Sequence, residues 1–246
     1  MFSFDDNFHD RTLALQPYRY AVYFTPQLTS PWALAGSHWL GRCVSSGKML
    51  DQPVIDGVEP SLFAALTEDP RRYGWHATLK APFRLAHDQD VNRLASGMQE
   101  LAGTMSAFSL PPLRVGMLRD FIALRPEGDL KKINAIARAC TTALHSFAAP
   151  LTSQELKRRQ NKSLSEEQDR MLSQWGYPWV LDQFQFHFSL TGALNGVTPE
   201  ARLALLYAAQ RHFHHLEDCR FEQISLFVEP AAGESFQILE NFPLKR

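Results

Sequence analysis

Two short segments carry side chains whose types and spacing could do chemistry: His76-Ala77-Thr78 and His187-Phe188-Ser189. Along a β-strand, residues i, i+2 and i+4 share one face. Read as a strand, Gly74–Lys80 turns His76, Thr78 and Lys80 one way and Trp75, Ala77 and Leu79 the other. In the same way, Phe184–Thr191 turns Gln185, His187, Ser189 and Thr191 one way and Phe184, Phe186, Phe188 and Leu190 the other. Each strand therefore offers an imidazole, followed two residues later by a hydroxyl on the same face, with an apolar face behind. One imidazole can act as general base and the other as general acid, because the unperturbed value near 6.5 lets the pair share a proton close to neutrality. Hydroxyls beside them can donate to the nonbridging oxygens of a phosphate. This set suits metal-independent hydrolysis or transesterification of a phosphodiester. The bland alternative is a pair of histidines satisfied inside a sheet core, with hydroxyls nearby by coincidence.

Further polar candidates are Lys80, with Arg84 just beyond it, as the phosphate cation, Thr191 on the face of His187, and Arg125 at the end of the strand Phe121–Arg125. Tyr23, Tyr73 and Tyr177 could line the cleft or simply pack, and Glu229 could orient a histidine or face solvent. His212, His214 and His215 invite a metal reading. They sit at a helix C-terminus, however, where imidazolium is favoured without any metal. The chain has no G-x-x-x-x-G-K-[ST], G-x-G-x-x-G or H-E-x-x-H run, so nucleotide-triphosphatase, dinucleotide and zincin readings lack a motif.

The elements that must position the two motifs follow from periodicity and punctuation. Tyr18–Phe24 reads as a strand ended by Thr25-Pro26, after a loose leader over residues 1–16 that lacks the apolar core of a secretory signal. Residues 28–72 read as irregular, with short helices near Pro31–Leu40 and Pro60–Leu66. Val91, Leu94, Met98 and Leu101 recur at helical spacing after Asp88 and Asp90, either of which could be the N-cap. Strands near Phe108–Val115 and Phe121–Arg125 precede a helix from about Asp129, striped by Leu130, Ile133, Ala137, Cys140, Leu144 and Phe147. Two capping-box patterns, Thr152–Glu155 and Ser165–Gln168, flank the basic cluster Lys157, Arg158, Arg159 and Lys162. They predict a helical hairpin over about 150–180 at the cleft rim. A helix opening at Thr198-Pro199 and strands Ile224–Glu229 and Phe236–Phe242 complete the chain. The expected fold is α+β, with two pseudo-symmetric β-α-β-β lobes whose antiparallel sheets face a central cleft, plus the helical insertion. We expect one two-lobed domain over 1–246, with lobe one about 18–126 and lobe two about 127–244.

The composition agrees with a globular chain. Of 246 residues, 45% are hydrophobic and 21% charged. Lys+Arg 25 against Asp+Glu 26 leaves a net charge of −1, which advertises neither a nucleic-acid polymer nor an anionic membrane as partner. Cys43, Cys140 and Cys219 are odd in number and far apart, so a reducing, cytoplasmic setting is expected.

With these residues in view, the sequence resembles the two-histidine phosphoesterases, which include bacterial RNA 2′-5′ ligase-like proteins and cyclic-phosphate phosphodiesterases. Paired H-x-[ST] motifs on strands of two duplicated lobes are their signature. Arg71–Phe83, Trp175–Pro178 and Phe227–Pro230 resemble one branch more closely, labelled "phosphonate metabolism protein". The resemblance runs over nearly all of residues 18–244. It implies catalytic roles for His76 and His187 and phosphate binding by Thr78 and Ser189, while Lys80, Thr191, Arg125 and Tyr23 stay candidates for substrate contact from their places on the strands. It implies no cofactor and no metal. The expected substrate is a small phosphorylated molecule or an RNA end, not DNA or a membrane, met by a monomer. Two other readings remain: a cleft that binds phosphorylated ligands without turnover, and an interaction protein acting through the 150–180 hairpin.

Overall fold

The computed structural model of the chain describes residues 17–160 and 164–246, apart from the Arg158 side chain. The leader over 1–16, the Arg158 side chain and Lys162 lie outside the described residues. β1 (Arg19–Phe24) is followed by α1 (Pro31–Leu40), α2 (Pro60–Leu66), α3 (Glu68–Tyr73), β2 (Ala77–Phe83) and α4 (Val91–Ala102). Next come β3 (Phe108–Ser109), β4 (Leu113–Leu118), β5 (Phe121–Pro126), α5 (Lys131–Ala143), α6 (Ser153–Gln160) and α7 (Glu166–Trp175). The chain ends with β6 (Phe188–Ser189), α8 (Pro199–Phe213), β7 (Arg220–Phe221), β8 (Gln223–Glu229) and β9 (Gln237–Pro243).

The fold is α+β, with antiparallel pairing throughout its main sheet. The strands of the two sequence halves join into one seven-stranded sheet, in the order β4-β5-β6-β2-β1-β8-β9. β6, late in the chain, is inserted between β5 and β2, while β8 and β9 extend the sheet beyond β1. The halves join at β5–β6, β2–β6 and β1–β8, and β2–β6 is in register at Ala77 and Phe188. β3 and β7 form a separate two-stranded ribbon.

Helix boundaries follow their signals. Ser30, Asp90 and Thr198 accept from the third residue on, at Ala33 N–H, Arg93 N–H and Ala201 N–H. Both capping boxes of the hairpin close: Thr152 with Glu155, and Ser165 with Gln168. Three differences from the sequence reading have local causes. α3 contains Pro70, which reads as a breaker but sits in the first turn, where its missing N–H costs nothing. The strand expected over Phe108–Val115 is split by Pro111-Pro112 into β3 and β4. β6 keeps only Phe188 and Ser189 of the expected Phe184–Thr191, because a 3-10 turn at Leu181–Gln183 leads into it and its ladder to β5 spans only Ala123 and Leu124.

The apolar faces of both motif strands meet one aromatic layer. Trp75 is buried and stacks on Phe188, with centroids 4.6 Å apart, and on Phe213 at 5.4 Å. Phe24, Phe186 and Phe221 continue the layer. α1 seals it, since Trp39 Nε1–H donates to Leu190 O at 2.8 Å. Gly36 of α1 lies against the Trp75 indole so closely that a Cβ there would stand 1.9 Å from the ring. Gly36→Ala should therefore destabilise the protein by about 1–3 kcal/mol, the usual cost of overpacking a core. Urea unfolding checks this; an unchanged midpoint would show that the indole is not pinned.

Candidate active site

Each histidine is held by the chain just upstream of it. Gly74, at φ +79°, ends α3, and a Cβ there would sit 2.5 Å from a Val44 methyl carbon. Both the left-handed backbone and the close approach call for glycine. The turn presents the Gly74 carbonyl to His76 Nδ1 at 2.8 Å. The Gln185 carbonyl meets His187 Nδ1 at 2.7 Å, again two residues upstream. A carbonyl only accepts, so in each neutral ring the proton sits on Nδ1 and the lone pair on Nε2. His76 Nε2 accepts from the Thr78 hydroxyl at 3.3 Å.

The Ala77–Phe188 register decides what these groups face. Continued one residue each way in an antiparallel pair, it sets His76 opposite Ser189 and Thr78 opposite His187. All four lie on the face away from the aromatic layer. Cross-strand neighbours of this kind stand about 4.5–5.5 Å apart at Cβ. Each imidazole is thus flanked by the hydroxyl of the other motif, and the two rings lie on a diagonal. A cavity of about 130 Å³ lies alongside, lined by Thr78, Phe121, Arg119, Trp179 and His187 among others.

Burial disfavours the charged form of both rings. His76 is pushed down to about 4, first by burial and then by the nearby His187. Its ring stacks on Tyr23, with centroids 3.9 Å apart, and meets the tilted Tyr73 ring at 6.0 Å. His187 is also lowered, by burial and then by the charges of Arg119 and Arg125. Both imidazoles are therefore neutral in the free protein at pH 7. The cations that depress His187 are the kind that would hold a phosphate.

The remaining candidates separate. Tyr23 is buried under His76, and burial raises its phenol well above the ordinary value. Arg125 is exposed on β5 and lines a different hollow with Gln185, though its charge reaches His187. Thr191 is buried, and its hydroxyl accepts the Ile122 N–H at 3.0 Å, so it serves the backbone and not the cleft. Lys80 does not line the cavity of Thr78 and His187. The β1–β2 register shifts between Val22↔Lys80 and Tyr23↔Thr78, and Lys80 lines the neighbouring cavity, its ammonium 3.4 Å from Thr141 O. Glu229 is fully buried and orients no histidine. It pairs with Arg19 at 2.5 Å and with Arg72, and accepts the Gly233 N–H at 2.9 Å, which ties β8 to β1 and to the end of α3. His212 is taken by Ala35 O at 2.9 Å and His214 by Arg211 O at 2.8 Å. Among the described residues, no group of three or more His, Cys, Asp or Glu could hold a metal ion. No helix among them is long and apolar enough to cross a membrane.

Arg119 is the residue the sequence reading passed over. It sits in the tight β4–β5 turn at φ +56°, with its guanidinium 4.8 Å over the Trp179 ring, and it lines the His187 cavity. Nothing in its sequence neighbourhood marks it. Arg119-Asp120 is a plain two-residue turn until the hairpin beside it is known.

Comparison with known proteins gives the following. Two curated relatives are each named ribose 1,5-bisphosphate phosphokinase PhnN. The one from Janthinobacterium sp. (strain Marseille) is 41% identical over 195 residues, covering 79% of this chain and 43% of that protein. The one from Laribacter hongkongensis (strain HLHK9) is 35% identical over 224 residues, covering 89% and 50%. This chain thus spans about half the length of the curated relatives it matches. Similar solved structures include E. coli LigT complexed with 3′-AMP, at 12% identity and TM-score 0.46, covering 94% of this chain and 100% of that one. Another, described as a phosphoesterase, has 12% identity and TM-score 0.43, with the same coverage. The family model described as "Protein of unknown function (DUF1045)" matches residues 78–237, which is more than half of the sequence, and the chain belongs to that family.

Proposed function

We propose that the protein is a two-histidine phosphoesterase that opens a cyclic phosphate or phosphodiester of a small nucleotide-like or phosphonate-pathway substrate. The observation that carries this is the matched setting of the two imidazoles. Each Nδ1 is fixed by the carbonyl two residues upstream, which leaves the lone pair on Nε2, where His76 already meets the Thr78 hydroxyl. One Nε2 takes a proton from water as the water oxygen bonds to phosphorus. The P–O bond to the leaving alkoxide breaks, and the other imidazole, in its protonated form, gives that oxygen its proton. Thr78, Ser189 and the Arg119 charge stabilise the nonbridging oxygens. Hydrolysis of a cyclic ester gives one phosphomonoester and no second product.

The curated relatives are named for ribose 1,5-bisphosphate, so a ribosyl cyclic phosphate is the first substrate to try. Their kinase name finds no support in this chain's own residues, which include no P-loop motif. A second reading is a cleft that binds phosphorylated ligands without turnover. What favours it is the depth of the His76 depression, since an imidazole near 4 is a weak base at neutral pH.

A panel of cyclic and linear phosphodiesters, assayed with EDTA present, separates the two readings. Turnover should persist in EDTA. His76→Ala and His187→Ala should each lower it by roughly 10²–10⁴, the worth of one positioned acid or base. The double variant should fall little further, since groups that act as a unit are not additive. Wild-type rates in either single variant would leave the binding reading in place.

The pH profile follows from the direction of both shifts. The working form carries one proton on the pair, and both apparent values lie below the ordinary imidazole value in the free protein. The kcat/KM bell should therefore peak on the acid side of about pH 6.5. The kcat bell should lie at higher pH, because a bound phosphate anion favours the imidazolium. Coincident bells centred above neutrality would contradict this assignment.

A further inference from the structure

Beside the His187 cavity lies a larger one of about 370 Å³, floored by the end of β2 and covered by the hairpin α6–α7. The two cavities share Ala81, Tyr177 and Val180 in their walls. Four cations line the larger one: Arg19, Lys80, Arg84 and Arg159. Glu155 is the single acidic residue of its wall, and it is paired with Arg84 at 3.0 Å. Arg19 is paired with Glu229 behind the wall.

Lys80 is the informative one. Its side chain is 5% exposed, and among the described residues no carboxylate lies within ion-pair reach of it. Among the described residues its ammonium meets the Thr141 carbonyl at 3.4 Å and the Phe83 ring at 5.1 Å. Burying a cation without an anion is costly, and burial pushes Lys80 down to about 8. Two further lining residues carry buried nitrogens with no hydrogen-bond partner among the described residues, His145 Nδ1 and Trp175 Nε1. A built wall that leaves a buried ammonium without a counter-charge and two buried ring nitrogens without a hydrogen-bond partner suits an acceptor-rich, anionic ligand.

We propose that this cavity is a second phosphoryl subsite, so that the preferred ligand carries one phosphoryl group at the histidines and another at Lys80. This rests on the phosphoesterase reading for the first subsite. The second stands on its own residues. A small scaffold such as a phosphorylated pentose suits neighbouring cavities that share Ala81, Tyr177 and Val180, and the larger falls within the usual size of a small-molecule site. The hairpin is then the roof of this subsite: Arg84–Glu155 latches α6 to β2, and Arg159 holds the end of α7 by donating to the Gly176 carbonyl.

The probes are ribose 1,5-bisphosphate, ribose 1-phosphate and ribose 5-phosphate, titrated calorimetrically into the full chain. The bisphosphate should bind about tenfold or more tighter than either monophosphate, the gain expected from one charge-assisted contact. Lys80→Met, which keeps length and removes the buried charge, should erase most of that preference. Arg84→Gln, at a site one-third exposed, gives the same readout should Lys80→Met fail to fold. A bisphosphate no tighter than the monophosphates, or a preference unchanged in the folded variants, would overturn the subsite. Binding needs no turnover, so the two readings fail separately. The preference persisting in a chain that hydrolyses nothing would sink only the phosphoesterase reading. Turnover of a cyclic phosphate without the preference would sink only the second subsite.

Discussion

The stack of Trp75 on Phe188 is the interaction on which the rest depends. These two residues flank the histidines, one just before His76 and the other just after His187, on the opposite face of the sheet. Their contact holds β2 and β6 side by side where the ladder itself supplies only the Ala77–Phe188 pair. A strand pair that short has little hold of its own. Its register is fixed from behind, by aromatic packing and by the closure of α1 over it. A slip of one residue in either strand would turn that strand's imidazole into the core.

The same face carries a second layer of constraint. Tyr23 stacks on His76, Phe227 supports Tyr23 at 4.9 Å, and Glu229 clamps Arg19 and Arg72 at the sheet's far side. A buried carboxylate with two guanidinium partners is worth retaining mainly because losing a partner strands a charge. Here it joins β8, β1 and the end of α3, which is the segment that delivers Gly74 and then His76. The imidazole's tautomer, stacking partner and neighbours are thus set before any ligand arrives. Such preorganisation is what makes hydrogen-bond donors and bases effective.

Much of this is legible in the sequence, and the parts that are not share a cause. Alternation alone sets His76 with Thr78 on one strand face and His187 with Ser189 on another, and the caps at Asp90, Ser165 and Thr198 mark their helices. Alternation also groups Lys80 with His76 and Thr78, but that inference assumes an unbroken ladder. The irregularity between Val22 and Tyr23 breaks it, and Lys80 goes to the neighbouring cavity. Thr191 looks like one more polar residue of the motif face, yet the β5 backbone claims its hydroxyl. Arg119 and Arg19 owe their positions to tertiary neighbours, Trp179 in one case and Glu229 in the other, and local pattern carries no trace of those. The joining of both halves into one sheet is likewise a matter of long-range pairing, which no single strand's periodicity specifies.

The central claim is that two imidazoles from distant parts of the chain serve one phosphate. Its most direct test is an NMR titration of the His76 and His187 ring nitrogens with inorganic phosphate at fixed pH. Both rings should begin as neutral Nδ1–H tautomers. Both should then move toward the imidazolium along a single saturation curve with one shared affinity. Movement of one ring alone, or two curves with separate affinities, would contradict the account.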